Sequence, residues 1–176
     1  RVMVLDALTY AGSMLNLPEQ GKISDHFEFW YGNIANGELV HTLVSQADVV
    51  VHMAAESAVT RSIFDNRTFF ETDGLGAQVL ANAVTKFRDR VRLFVHVSTS
   101  EVYGTAQTER MDEDHPLQPM SPYAAAKGGA DRLVDPCWQP DGTQAGRGAP
   151  CNTSGPRHAP ESEGRRTGPP GTPGGT

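Results

Sequence analysis

Tyr123 and Lys127 stand four residues apart in Ser121-Pro122-Tyr123-Ala124-Ala125-Ala126-Lys127, some twenty residues after Val97-Ser98-Thr99-Ser100-Glu101. On a helix, positions i and i+4 share a face. A lysine ammonium there favours an ionised phenol, because an opposite charge stabilises the charged form. An unperturbed tyrosine titrates near ~10, too high for a base at neutral pH. A phenol lowered from that value takes a proton from a hydroxyl while a neighbouring group accepts the hydride. Tyr-x-x-x-Lys is common in helices by chance, so the pair needs elements that aim it.

Three apolar runs supply them: Val2-Met3-Val4-Leu5, Val49-Val50-Val51-His52-Met53 and Leu93-Phe94-Val95-His96-Val97. Each is short, β-branched and without alternation, which predicts parallel strands covered on both faces. Between them lie helical patterns over Ile34–Gln46, Phe69–Phe87 and Pro122–Val134, the last opened by a proline suited to a first turn. Strand alternating with helix predicts an α/β fold, a Rossmann-like doubly wound parallel sheet. Ligands bind such a sheet outside the carboxyl ends of its strands. Polar clusters fall there: Asp6, then Ala54-Ala55-Glu56-Ser57, then Ser98-Thr99-Ser100-Glu101.

Asp6 suits the ribose hydroxyls of an adenosine, and its charge repels a ribose phosphate, which favours NAD over NADP. No Gly-x-Gly-x-x-Gly precedes it. The expectation is therefore a sheet that is N-terminally truncated, lacking its first strand, phosphate loop and helix; the other possibility is that the dinucleotide reading fails.

Composition narrows the function classes. The chain has 176 residues, enough for one domain, and a net charge of −6 from 21 acidic and 15 basic residues. No basic patch points to nucleic acid. No apolar run approaches the ~20 residues of a membrane span. Cys137 and Cys151 form neither a disulfide framework nor zinc-ligand spacing, and no metal is expected. A cytoplasmic setting follows. Residues 135–176 hold nine glycines and eight prolines but no Val, Ile, Leu, Met, Phe or Tyr. That tail is expected to be irregular, beside a partial NAD-binding domain over 1–134. His96, His52, Met53 and Phe94 are expected in the core. Arg61 is expected to orient a loop or, in the main, to pair with a carboxylate at the surface.

Several segments together resemble the extended short-chain dehydrogenase/reductases, and within them the nucleotide-sugar 4,6-dehydratases. Asp6-Ala7-Leu8-Thr9-Tyr10-Ala11-Gly12 resembles D-K-L-T-Y-A-G. His52 to Ile63 resembles H-L-A-A-E-S-H-V-D-R-S-I. Glu71-Thr72-Asp73-Gly74-Leu75-Gly76 resembles E-T-N-V-x-G, and Ser121 to Lys127 resembles S-P-Y-A-A-S-K. The resemblance covers about residues 2 to 134 and implies NAD and a nucleotide-sugar substrate. Cofactor contacts would come from Asp6, Leu8, Thr9, Gly12, Asn33, Ile34, Met53, Ala54, Ala55, Ser57, Thr72, Val97, Ser98, Tyr123 and Lys127. Substrate contacts would come from Glu56, Ser57, Thr99 and Asn152. Tyr123 would take the proton of the C4 hydroxyl, Lys127 would lower its pKa, and Thr99 would bind the same hydroxyl. Glu101 would remove the C5 proton. The intact family member is expected to form a homodimer through its long helices.

Departures keep alternatives open. Ser100 stands where dTDP-glucose 4,6-dehydratases have an acidic proton donor. Thr-Ser-Glu is also similar to GDP-mannose 4,6-dehydratases and UDP-glucuronate decarboxylases. A 4-epimerase or a decarboxylase remains possible within the family, and a catalytically inactive α/β binding module outside it. The tail keeps the family's spacing without its chemistry: Ala145-Gly146-Arg147-Gly148 stands where an apolar strand should, and is not expected to pair as a central strand. It reads as a degraded remnant.

Overall fold

The computed structural model describes residues 1–17, 26–107, 114–138 and 144–148. Two parallel ladders form. β1 (Val2–Asp6) pairs with β2 (Phe27–Tyr31), and β3 (Val49–His52) pairs with β4 (Leu93–Val97), which also pairs with β5 (Gln144–Gly148). The three expected strands are present. β2 was not expected, because Glu28 interrupts its apolar run; its four aromatics were the available signal.

Helices follow in chain order. α1 (Gly37–Val44) begins at Asn36, whose side chain accepts from the Leu39 backbone N–H at 3.2 Å, and it buries Val40, Leu43 and Val44. α2 (Val59–Phe64) and α3 (Asn66–Phe69) are short additions to the expected pattern. The expected Phe69–Phe87 helix is divided. Phe70–Gly76 is a π-helical segment, and α4 (Ala77–Lys86) continues it with regular geometry. The wider π turn buries Asp73 and Gly76 but leaves Leu75 exposed, which its helical spacing did not predict. A methyl group on Gly76 would come within 2.4 Å of Ile34 Cγ2, so this approach requires glycine.

α5 (Pro122–Trp138) starts where Ser121 Oγ accepts from the Ala124 N–H at 3.1 Å. It runs a turn beyond the expected end at Val134, carrying Pro136 inside that turn. The core joins α1, α4, α5 and the sheet through Val40, Val44, Leu80, Val84, Val91, Phe94 and Val134, with Leu5 and Val50 packed against it. Burial of each such side chain contributes about 1.5–3 kcal/mol. Truncating Phe94 to alanine would cost about 3–5 kcal/mol by opening a cavity.

Two expectations are corrected. The strands are not covered on both faces: Val2, Val49 and Val51 are 57%, 49% and 54% exposed, because no described element packs over that side of β1 and β3. The tail is not irregular throughout: Gln144–Gly148 pairs in register from Leu93↔Gln144 to Val97↔Gly148, at the edge of its described ladder and not as a central strand. Ladder bonds come from the backbone, which glycine supplies at an entropic cost of about 0.5–1 kcal/mol each. The rest of the predicted irregular tail, with Asn152, lies outside the described residues. Among the described residues no helix is long and apolar enough to cross a membrane.

Candidate active site

The carboxyl ends of β1, β3 and β4 bring the predicted residues together. After β1 the chain turns sharply. Asp6 Oδ1 accepts from the Leu8 N–H at 2.6 Å, Leu8 takes a positive φ of 47°, and the Gly12 N–H reaches Thr9 O at 2.9 Å. A Cβ on Gly12 would sit 2.4 Å from Leu8 Cα. This turn is tied to the loop after β3: Tyr10 Oη and Ser57 Oγ are 3.0 Å apart, and the Arg61 guanidinium stacks over the Tyr10 ring at 4.3 Å. Arg61 thus orients a loop through cation–π contact, and the described geometry gives it no carboxylate. Tyr10 escaped the sequence reading although it lies inside the Asp6–Gly12 segment.

Met53 is 70% exposed at the end of β3, which removes it from the expected core and leaves it on the ligand side. Ala54 and Ala55 are half-buried there, as is Thr72 on the π segment. Asn33 closes an Asx turn after β2, its Oδ1 accepting from the Ala35 N–H at 2.8 Å. Ile34 is buried in the core, so its side chain is not available to a ligand.

β4 feeds the cluster of Thr99, Ser100 and Glu101. Thr99 caps the short turn Ser100–Tyr103, accepting from the Glu101 N–H at 3.3 Å. Glu101 is exposed and Ser100 half-buried. Tyr123, 8% exposed, packs its ring edge-on against Phe69 at 6.2 Å. Its phenol lies above the ordinary range. Burial is the main cause; Thr99 pulls the other way, while the charges of Asp73 and Glu101 add to the rise. Lys127 is 2% exposed, and its ammonium donates to Val97 O at 2.6 Å. Burial lowers its pKa, opposed by Asp73 and Asp131. The expected lowering of the Tyr123 pKa by Lys127 is therefore not seen: the ammonium is bonded to the Val97 carbonyl, and burial outweighs what lowers the phenol.

Behind Lys127 runs a buried polar chain that sequence reasoning treated as core. Ser98 Oγ donates to Asp131 Oδ2 at 2.7 Å, His96 Nε2 lies 3.1 Å from Asp131 Oδ1, and the Nδ1 atoms of His52 and His96 are 2.8 Å apart. A carboxylate only accepts, so we assign the His96 Nε2 proton toward Asp131. The Nδ1 atoms of His52 and His96 share the next hydrogen bond of the chain, and His52 Nε2 has no partner among the described residues. Burial, aided by His96 and Lys127, pushes the His52 pKa down to about 3.

Asp73 closes the far side. It is 1% exposed; its Oδ1 accepts from the Glu56 N–H at 2.8 Å, and its Oδ2 has no partner. Burial raises its pKa to about 7 against the Glu56 hydrogen bond and the Lys127 charge. Its sequence signal was a carboxylate in the buried phase of a helical pattern, four and seven residues before Ala77 and Leu80.

A parallel α/β sheet carrying a tyrosine and a lysine at its ligand edge defines a Rossmann-like site of the short-chain dehydrogenase/reductase type. Comparisons with known proteins agree. The family model for GDP-mannose 4,6 dehydratase matches residues 1–166, and the chain belongs to that family, within the NAD-dependent epimerase/dehydratases. It is 42% identical over 160 residues to a dTDP-glucose 4,6-dehydratase of Streptomyces antibioticus, covering 91% of this chain and 46% of the relative. The crystal structure of DesIV, a dTDP-glucose 4,6-dehydratase from Streptomyces venezuelae with NAD and TYD bound, is similar with a TM-score of 0.82 and 38% identity over 90% of this chain and 48% of that one. A UDP-glucose 4-epimerase of Thermus thermophilus in complex with NAD gives 0.79 and 29%, over 92% and 50%. The chain spans about half the length of the relatives it matches.

Proposed function

We propose that this chain is a portion of an NAD-dependent nucleotide-sugar 4,6-dehydratase. The observation that carries this is the convergence of Thr99, Glu101 and Tyr123 beside buried Lys127, from segments over twenty residues apart. The 4,6-dehydratase relatives support it.

The donor set fits NAD. The exposed Asp6 carboxylate suits ribose hydroxyls, and the turn closed at Gly12 brings backbone close to that position. Ser57, Tyr123 and Lys127 stand at the strand ends where a nicotinamide ribose would lie. Bound NAD would accept the hydride from C4 of the sugar and return it to C6. Tyr123 takes the proton of the C4 hydroxyl, which Thr99 also binds. The resulting ketone acidifies the C5 proton, and Glu101 removes it. Water then leaves from C6 with a proton supplied by the newly protonated Glu101, since Ser100 is a weak donor; hydride return to C6 is completed by a proton from solvent at C5, and Tyr123 releases to solvent the proton it took from the C4 hydroxyl. The product is a 4-keto-6-deoxy sugar nucleotide.

The substrate is a nucleotide sugar, and the setting is cytoplasmic. The dimer would use the shallow apolar groove lined by Phe70, Leu75, Ala126 and Leu133 on the π segment and α5. Likeness to the 4-epimerase favours one second reading, in which Tyr123 serves C4 oxidation and Glu101 is idle. NMR of the product after incubating the chain with NAD and dTDP-glucose or GDP-mannose separates them: a 4-keto-6-deoxy sugar supports the dehydratase, an inverted C4 the epimerase. No turnover together with no thermal shift by either ligand would leave only a binding-incompetent fragment.

A further inference from the structure

Two residues one turn apart on α5 grip three consecutive residues at the carboxyl end of β4. Lys127 Nζ donates to Val97 O at 2.6 Å. Asp131 takes the residues on either side: Ser98 Oγ donates to its Oδ2 at 2.7 Å, and His96 Nε2 lies 3.1 Å from its Oδ1. Strand side chains alternate, so His96 and Ser98 share one face of the sheet. The carboxylate spans those two side chains, and the lysine meets the backbone between them. His96, Ser98, Lys127 and Asp131 are all buried, so water does not stand in for a lost bond. Tyr123, Lys127 and Asp131 follow at i, i+4 and i+8 and share one face of α5. Gly128 and Gly129 lie between the two gripping residues and are weak helix formers, so propensity does little to hold this turn.

We propose that Asp131 is a positioning residue: by holding His96 and Ser98 together it fixes the register of α5 against β4 and keeps Lys127 on the Val97 carbonyl. Tyr123, one turn before Lys127 on the same face, is set by the same clamp. A carboxylate suits this task because its two oxygens accept from two donors at once. An amide in its place offers one oxygen, and its nitrogen cannot accept the His96 Nε2 proton. The importance of the clamp for turnover rests on the proposed reading of Tyr123 and Lys127 as the reacting pair; the clamp itself does not.

The test reads the Lys127 ammonium by NMR in the full chain, isotope-labelled at lysine Nζ. The chain holds three lysines, and the signal lost in Lys127→Arg is that of Lys127. The bond to Val97 O should slow exchange of its ammonium protons with water and give a persistent signal. In Asp131→Asn that exchange should quicken by about tenfold or more, as for a lost buried hydrogen bond to a charged group. Ser98→Ala removes one grip without changing any charge, and should quicken it in the same direction by less. Val84→Ala, which removes core volume alone, is the control at a urea concentration giving equal stability; its Lys127 signal should stay slow. The proposal is overturned by the lack of a slow signal in the unsubstituted chain, by unchanged exchange in Ser98→Ala, or by equal quickening in Val84→Ala. Should Asp131→Asn fail to fold by circular dichroism, Ser98→Ala and the control decide. Neither NAD nor turnover enters the measurement, so failure of the dehydratase reading leaves it interpretable.

Discussion

The Lys127 ammonium donates to the Val97 carbonyl at 2.6 Å, anchoring α5 to the end of β4. Lysine here is first a strut. Its stem passes from a helix to a strand terminus, and burial lowers its pKa against the pull of Asp73 and Asp131.

Lys127→Met should therefore cost stability as well as activity. It leaves a strand-end carbonyl without this donor and Asp73 without its cation, at about 1–3 kcal/mol for the buried polar group left unmet. Urea unfolding checks the loss. NMR of Asp73 Cγ checks the electrostatics, and its titration should move above the native value of about 7. A shift downward would contradict the arrangement.

His52 gives the chain an acid-sensitive element. Its folded pKa is depressed from 6.5 to about 3, so the fold binds fewer protons there than the unfolded chain. The stability it contributes is complete above 6.5 and is lost as pH falls toward about 3. Asp73 has the opposite sign: raised from 3.8 to about 7, its contribution is complete below 3.8 and lost as pH rises through about 7. In His52→Gln, urea midpoints should fall less between neutral and acid pH than in the unsubstituted chain. Parallel falls would contradict this.

The placement of Tyr123 and Lys127 on one helix, the strand-end clusters and three strands were legible because short apolar runs and i, i+4 spacing carry local information. What escaped depended on partners distant in sequence. Asp73 and Asp131 look like ordinary helix carboxylates until the π turn and α5 bury them around Lys127. Gln144–Gly148 lacks β propensity, yet β4 supplies a backbone template that needs none. Met53 looked apolar enough for the core but ends its strand on the ligand side.

Glu101 and Tyr123 divide the proposed chemistry. Glu101→Gln should leave C4 oxidation intact and slow elimination by about 10²–10⁴-fold. Reduced nicotinamide would then accumulate on adding a nucleotide sugar, visible by absorbance. A native yield of 4-keto-6-deoxy product would remove Glu101 from the mechanism.

The most direct test of the account is single-turnover reduction of NAD by dTDP-glucose or GDP-mannose in the unsubstituted chain and in Tyr123→Phe, with the product identified by NMR. The account predicts reduction followed by a 4-keto-6-deoxy sugar in the former, and reduction slowed by about 10²-fold or more in the latter. Equal reduction rates in the two chains, or a product altered only at C4, would contradict it.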